Sequence, residues 1–387
     1  MKITSVKSHV LSYDLDEPLG YSQNYYTKRS AHLVEIETDE GITGIGECFG
    51  PNTIALANKV IVEQVIGPLI LGRDPLDREV HWHRAYNGMR DHGQKGMPIQ
   101  ALSGVDIALW DIAGKIHNQP LYKLLGGAFR DRIEVYGYGM MLQQVPDLAE
   151  RFASESAAIK AMGFNAMKMK IGKGPEEDLR LVKAVRDAIG ADVRLMVDAN
   201  HAYTAQVAIP LGRALQVLGV YWFEEPVAPE DLQGYRDLCE SLDMSIAGGE
   251  AEFTRWGFRD LIEKRCVDIL QPETCALGGI SEYLKVRDMA HAHFIPVVNH
   301  VWGTAVCVAV NMHLLAAMPD LPGGAHPAQP MLEYDTTPNL FRENLLTESL
   351  GVLDQVAANG GWVELPTGPG LGIELDYDFI ERYRVNA

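Results

Sequence analysis

Apolar and polar positions follow one rhythm before about residue 130 and another after it. Met1–Tyr13 sets Ile3, Val6 and Val10 among polar neighbours and predicts a strand. His32–Glu37, with Leu33, Val34 and Ile36, predicts a second strand, and Ile42–Glu47 a third after the Asp39-Glu40-Gly41 turn. Three strands in succession predict an antiparallel meander. The period then lengthens. Ile54–Gly67 puts Ile54, Ala57, Ile61 and Val65 on one helical face, and Asp77–Tyr86 continues as a helix. Ile99–Lys115 is apolar around so much of its circumference that it must be buried on several sides. Residues 1–130 therefore predict an α+β domain.

From Ile133 short apolar runs alternate with helical stretches. Strands are predicted at Val135–Tyr138, Ala166–Ile171, Arg194–Asp198, Tyr221–Glu224, Ser245–Ala247, Asp268–Leu270, Pro296–Asn299 and Met331–Glu333. Helices are predicted at Pro175–Ile189, Thr204–Leu218, Leu232–Leu242, Trp256–Lys264 and Ile280–His293. The first of these is punctuated at both ends. Pro175 suits its opening turn, Glu176, Glu177 and Asp178 favour the positive end of the helix dipole, and Gly190 stops it. Eight strands at this spacing predict an α/β fold, a (β/α)8-type barrel over residues 131–350 with an irregular first or last unit. The tail after Glu333 reads as turns with one or two strands. Its last part, residues 351–387, is expected to pack back on the first domain.

Two polar stretches interrupt the first domain. Tyr21–Arg29 and the RDHGQKG run Arg90–Gly96 are expected to be either lids over a ligand or plain surface loops. On the lid reading, Tyr21, His92 and Lys95 face the substrate, and Arg90, His92 and Lys95 meet its carboxylate.

Composition narrows the partners. The 387-residue chain is 47% hydrophobic and 22% charged, ordinary for a globular enzyme, and long enough for two domains. A net charge of -18 argues against nucleic acid or an anionic membrane as partner. Five scattered cysteines, Cys48, Cys239, Cys266, Cys275 and Cys307, form no CxxC pair and point to a reducing compartment. The opening MKITSVKSHV has no long apolar core of a signal peptide, and no spanning apolar run follows. A cytoplasmic protein is expected.

The chemistry lies at the strand ends. Asp198, Glu224 and Glu250 close three successive βα units, each 26 residues from the next. Carboxylates so placed predict a site for a hard divalent cation on the rim of the barrel. Glu225 competes with Glu224, because neighbouring side chains along a strand point to opposite faces, and Glu252 is a competitor to Glu250. Lys168 and Lys170 share one strand face, and mutual repulsion is expected to lower a lysine pKa towards the range of a general base. Asn200 is a hydrogen-bond donor at the same rim. His300 ends the seventh predicted strand and Glu273 the sixth, so the carboxylate can fix the imidazole tautomer. Glu333 ends the eighth and is placed to give a proton to an enolate or carboxylate oxygen. His201, His291 and His293 read as structural or surface groups. A cation, a lysine and a histidine around one cavity suit removal of a carbon-bound proton next to a carboxylate.

The pieces KMK, VDAN, WFEEP, AGGE, DILQP, the glycine pair Gly278-Gly279 and VNH together resemble the enolase superfamily, mandelate racemase/muconate lactonizing enzyme branch, over essentially the whole chain. The resemblance implies an α+β capping domain and a modified TIM barrel, (β/α)7β. It implies Mg2+ on Asp198, Glu224 and Glu250, Lys170 as base with Lys168 in support, His300 acting from the opposite face, and Glu333 stabilising the intermediate. Asn200 and Trp302 would meet an acid sugar or its lactone. The expected reaction is cycloisomerisation of an aldarolactone by β-elimination with ring opening. Acid-sugar dehydration, epimerisation, or a binding protein with a relict site are the alternatives. Homo-oligomers, dimeric or octameric, are the inherited expectation. This chain departs from the family at Glu273, where aspartate is usual, and the extra methylene is expected to displace the carboxylate by about 1 Å.

Overall fold

A computed structural model describes residues 1–50, 53–321 and 330–385. Three antiparallel strands open the chain: β1 (Ile3–Tyr21), β2 (Asn24–Thr38) and β3 (Thr43–Cys48), in the order β1-β2-β3. Strand β1 runs well beyond the predicted Tyr13. Its ladder with β2 slips between Asp14 and Leu19, where Pro18 has no amide to donate, and then resumes to the pair Tyr21↔Asn24. The stretch Tyr21–Arg29 is therefore not a loop. It is a hairpin tip turning through Ser22 and Gln23, and Tyr25, Tyr26 and Thr27 are good strand formers that keep it extended.

The helix Met97–Ile116 lies directly on β3. A Cβ on Gly46 would sit 2.0 Å from the Gly104 carbonyl oxygen, so glycine here is a condition of the contact. The predicted helix Ile54–Gly67 is broken into Ile54–Val60, a π-helical stretch Ile61–Ile66, and Gly67–Ile70. The predicted Asp77–Tyr86 begins one residue later and reaches Met89.

The second sheet is barrel-like. Its strands are β4 (Arg132–Tyr138), β5 (Ala166–Lys170), β6 (Arg194–Asp198), β7 (Val220–Glu224), β8 (Ser245–Gly248), β9 (Ile269–Leu270), β10 (Met331–Asp335) and β11 (Trp362–Glu364). The order is β10-β4-β5-β6-β7-β8-β9, parallel throughout, with β11 antiparallel on β4. One buried layer draws a single residue from each stave: Tyr136, Ala166, Met196, Trp222, Ala247, Ile269, Val298 and Met331. Such a ring of inward side chains is how a barrel interior is filled. Val298 belongs to the predicted seventh strand Pro296–Asn299, which takes its place in the ring but makes only isolated bridges, Leu270↔Val297 beside it and Glu273↔His300 just beyond. Pro272 and Pro296 each remove a donor from that part of the ladder.

Among the described residues, six helices stand where the sequence predicts none: Leu148–Ala161, Ala305–Ala316, Val352–Asn359, Tyr377–Tyr383 and the single turns Leu121–Leu124 and Leu340–Glu343. Leu148–Ala161 starts at Asp147, whose carboxylate accepts from the Ala149 and Glu150 amides. Every residue of Ala305–Ala316 is buried, so it has no polar face and leaves no helical period in the sequence. The tail is thus more helical than expected. Its strand β11 joins the barrel, while Val385 N donates to Val10 O at 2.8 Å and Tyr377 Oη to Glu35 at 2.6 Å, which ties the end of the chain to the first sheet. Among the described residues no helix is long and apolar enough to cross a membrane.

His313, in the buried helix, is held neutral. Its Nε2 faces the Leu371 carbonyl at 3.2 Å and its Nδ1 the Tyr122 amide at 3.4 Å, so both nitrogens are engaged only when one carries no proton. Burial lowers its pKa to about 4, against the pull of the Leu371 carbonyl. The unfolded chain binds this proton first as pH falls. The site's contribution is therefore whole above pH 6.5 and is lost between 6.5 and about 4. Relative to His313→Gln, the parent is expected to lose about 1.4 kcal/mol per pH unit across that window. Denaturant unfolding at stepped pH measures this, and a pH-independent difference between the two proteins rules it out.

Candidate active site

Parallel strands place their last residues at one level. Lys170, Asp198 and Glu224 are consecutive register partners across β5, β6 and β7. Glu250 lies two residues beyond β8, past a turn at Gly249 with φ of +128°. One carboxylate oxygen from each of Asp198, Glu224 and Glu250 falls within 4.8 Å of the others. Glu224 is fully buried and accepts from Trp222 Nε1 at 2.9 Å and Gln271 Nε2 at 2.8 Å. Among the described residues Glu250 Oε2, which is buried, makes no hydrogen bond, though His300 Nε2 lies 3.3 Å from it. Three converging carboxylates fit a hard divalent cation that takes oxygen ligands.

The competitors are placed elsewhere. Glu225 turns away at a positive φ of 41° and lies 3.3 Å from His201. Glu252 pairs with Lys95 at 2.6 Å.

Both lysines are buried, and Lys168 does push Lys170 down, but neither ends below its ordinary value. Burial works to lower Lys168, yet Glu224 and Glu333 hold it well above the ordinary lysine value. Lys168 lies 2.7 Å from Glu333 and also contacts Glu224. For Lys170 burial again acts downward, and Asp198, hydrogen-bonded to its Nζ, raises it net. The expected lowering is overturned because each amine has its own carboxylates. The Tyr138 ring lies about equally near both amines, 5.1 Å from Lys168 Nζ and 5.0 Å from Lys170 Nζ.

His300 Nδ1 lies 2.7 Å from Glu273 Oε2, so the longer side chain does reach the imidazole. Its other carboxylate oxygen accepts from the Cys275 amide at 2.9 Å. His300 Nε2 lies 3.3 Å from Glu250. Burial alone would lower this histidine, but Glu250 and Glu273 carry it up to about 9, so it is an imidazolium at neutral pH. Glu333 lines the cavity, but its charge does not suit the expected proton donor. Burial pushes its carboxyl up, but Lys168 and His300 on either side hold it below the usual carboxylate range, and it accepts from the Val301 amide at 2.8 Å.

A cavity of about 400 Å³ opens above these groups, between the first sheet and the barrel rim. Lys170, Asn200, Glu250, His300, Trp302, Glu333 and Tyr21 line it. Lys168, Asp198, Glu224 and Glu273 lie buried beneath. Asn200 leaves its Oδ1 without a partner, while its backbone carbonyl accepts from Ser22 Oγ at the hairpin tip, 2.7 Å away. His92 and Lys95 are outside this cavity. Lys95 lines a separate cleft, where Glu252 takes its charge, and His92 is exposed just after the end of the helix Arg78–Met89. Four further groups at the site go unmarked by sequence reasoning. Arg29 lies under Trp302 and pairs with Asp335 at 2.8 Å, Tyr138 stands beside the lysines, Gln271 holds Glu224, and Glu47 lines the cavity from β3. Tyr138 ends a barrel strand as the acids do, and that position is its one available signal. Arg29 closes the polar stretch Tyr21–Arg29, which marks the segment but not the residue, and Glu47 lies in the other domain and leaves no signal.

The chain matches the family described as "Enolase C-terminal domain-like" over residues 151–379, and the "Mandelate racemase / muconate lactonizing enzyme, N-terminal domain" over residues 5–126. It is 43% identical to D-galactarolactone cycloisomerase of Agrobacterium fabrum strain C58, over 100% of this chain and 99% of that one. The 3,6-anhydro-D-galactonate cycloisomerase of Zobellia galactanivorans superposes with a TM-score of 0.87 at 36% identity, covering 100% of both chains. L-talarate/galactarate dehydratase of Salmonella typhimurium LT2, solved with Mg and L-lyxarohydroxamate, gives a TM-score of 0.87 at 28% identity, covering 100% of this chain and 93% of that one.

Proposed function

Because the chain belongs to the mandelate racemase/muconate lactonizing enzyme branch of the enolase superfamily, we propose that it is a Mg2+-dependent cycloisomerase of a sugar-acid lactone such as D-galactaro-1,4-lactone. One observation carries this reading. Two proton-transferring groups, Lys170 and His300, face one cavity, and each is in contact with one of the three converging acids, Asp198 and Glu250 respectively.

Asp198, Glu224 and Glu250 would hold the cation. When bound, it supplies positive charge against which negative charge on the substrate carboxylate can develop, and it competes with the lysines for these acids. Lys170 removes the proton on the carbon next to the free carboxylate. The C–O bond at the neighbouring carbon breaks, and its electron pair leaves with the ring carboxylate. His300 gives its proton to that neighbouring carbon as the enol becomes a 2-keto acid. No atoms are gained or lost, as an isomerisation requires. Lys168, fixed between Glu224 and Glu333, keeps a positive charge beside the site. Tyr21, Asn200 and Trp302 shape the wall that the substrate meets.

A protonated His300 serves a second reading as well. A ring carboxylate leaves without help from an acid, whereas hydroxide needs a proton to leave as water. An acid-sugar dehydratase would use His300 in that way. Incubation of the Mg2+-loaded protein with aldaric acids and their lactones in deuterated water separates the readings. A 2-keto product of unchanged mass, apart from deuterium, is the expected result. A product lighter by one water supports the dehydratase. Exchange without a product points to an epimerase.

A further inference from the structure

The first domain does more than cover the cavity. Where β3 ends, its backbone and one carboxylate grip both sides of the His300–Glu273 pair. Glu47 is 3% exposed, and among the described residues its side-chain hydrogen bonds all cross to the barrel. It accepts from Thr304 N at 2.9 Å, Thr304 Oγ1 at 2.7 Å and Cys307 N at 2.9 Å. Those groups are the N-cap and first turn of the helix Ala305–Ala316, where a carboxylate is favoured. The approach is tight, because a Cβ on Gly303 would lie 2.7 Å from Glu47 Oε1. Two residues on, Phe49 N donates to Cys275 O at 2.8 Å, and the Phe49 ring meets the His300 ring edge-on at 6.1 Å.

Thr304 lies four residues after His300, and Cys275 two after Glu273. The segment Glu47–Phe49 thus holds the chain on both sides of that hydrogen bond. The same turn gives its Trp302 amide to Glu273 at 3.4 Å and its Val301 amide to Glu333 at 2.8 Å.

We propose that Glu47 is a positioning residue, a latch from the first domain that sets His300 against Glu273 and so governs the histidine half of the reaction without touching the lysine half. The division between the two halves rests on the function proposed above. Glu47→Gln keeps the size of the side chain but has one carbonyl oxygen for three donors, and its amide would face a backbone N–H. Thr304→Val removes one of the three bonds and serves if the glutamine variant does not fold.

With the Mg2+-loaded protein and a lactone substrate in deuterated water, product formation by Glu47→Gln is expected to fall about a hundredfold, the loss that goes with a misplacement of about 1 Å. Exchange at the carbon next to the carboxylate should stay within about threefold of the parent, and Thr304→Val should fall between them on the product measure only. Equal loss of exchange and product, or a lowered Tm with both rates intact, overturns the proposal. A crystal-structure comparison needs no substrate. The separation of His300 Nδ1 from Glu273 in Glu47→Gln is expected to lengthen beyond hydrogen-bond range, and an unchanged 2.7 Å overturns the latch even if the parent turns over no lactone. If the parent exchanges no proton but the variant shows the lengthened contact, the reading of the reaction fails and the latch stands.

Discussion

Lys170→Ala is expected to lower exchange of the substrate's α-proton with solvent by about 10²–10⁴-fold, the usual worth of a placed general base. The amine is 6% exposed, lines the cavity, and is held by Asp198 and beside the Tyr138 ring. Charge and basicity can be separated at this position. Lys170→Arg still offers Asp198 a cation, but a guanidinium does not lose its proton in a protein. If Lys170 acts as a base, both variants lose exchange. If it acts only as a counter-charge, arginine restores it. Deuterium incorporation followed by proton NMR or mass measures the rate. Retention of more than about a tenth of the parent rate in alanine would remove Lys170 from the role.

Glu224→Gln is expected to act on metal binding first and on turnover as a consequence. Glu224 is one of three converging acids and also the partner of Lys168. A ligand at 100 times its dissociation constant stabilises a fold by about 2.7 kcal/mol. The parent's Tm should therefore rise on adding Mg2+, and the variant's should rise much less. Without metal the variant should also be less stable, because breaking a buried pair costs about 3–5 kcal/mol. The low end is expected, since Glu333 remains 2.7 Å from Lys168. Turnover should fall with the metal. An equal Mg2+-induced shift in parent and variant would show that this carboxylate holds no cation.

Several parts of this site are legible in the sequence alone. Equal spacing of Asp198, Glu224 and Glu250 implies one level of a repeating unit, and parallel pairing does bring Asp198 and Glu224 into register. Two lysines with one residue between them imply a shared strand face, and both reach the acids. Other parts are ambiguous in one dimension. His92 and Lys95 are polar and glycine-flanked, which describes a lid and a solvated loop equally well, and Glu252 claims Lys95. The helix Ala305–Ala316 is invisible because burial all round erases the polar half of the period. The hairpin tip Tyr21–Arg29 reads as a loop because polar side chains on an exposed strand look the same in sequence.

The sequence by itself determined the barrel rhythm and which residues stand at or near the strand ends. Those follow from periodicity, and periodicity is a local property of the chain. Only the tertiary structure decided which way the pKa values of Lys168, Lys170, His300 and Glu333 move, since each depends on carboxylates or cations brought from other strands. It also decided that Glu47 reaches Thr304, 257 positions away, because a contact across a domain boundary is fixed by packing and leaves no period to read.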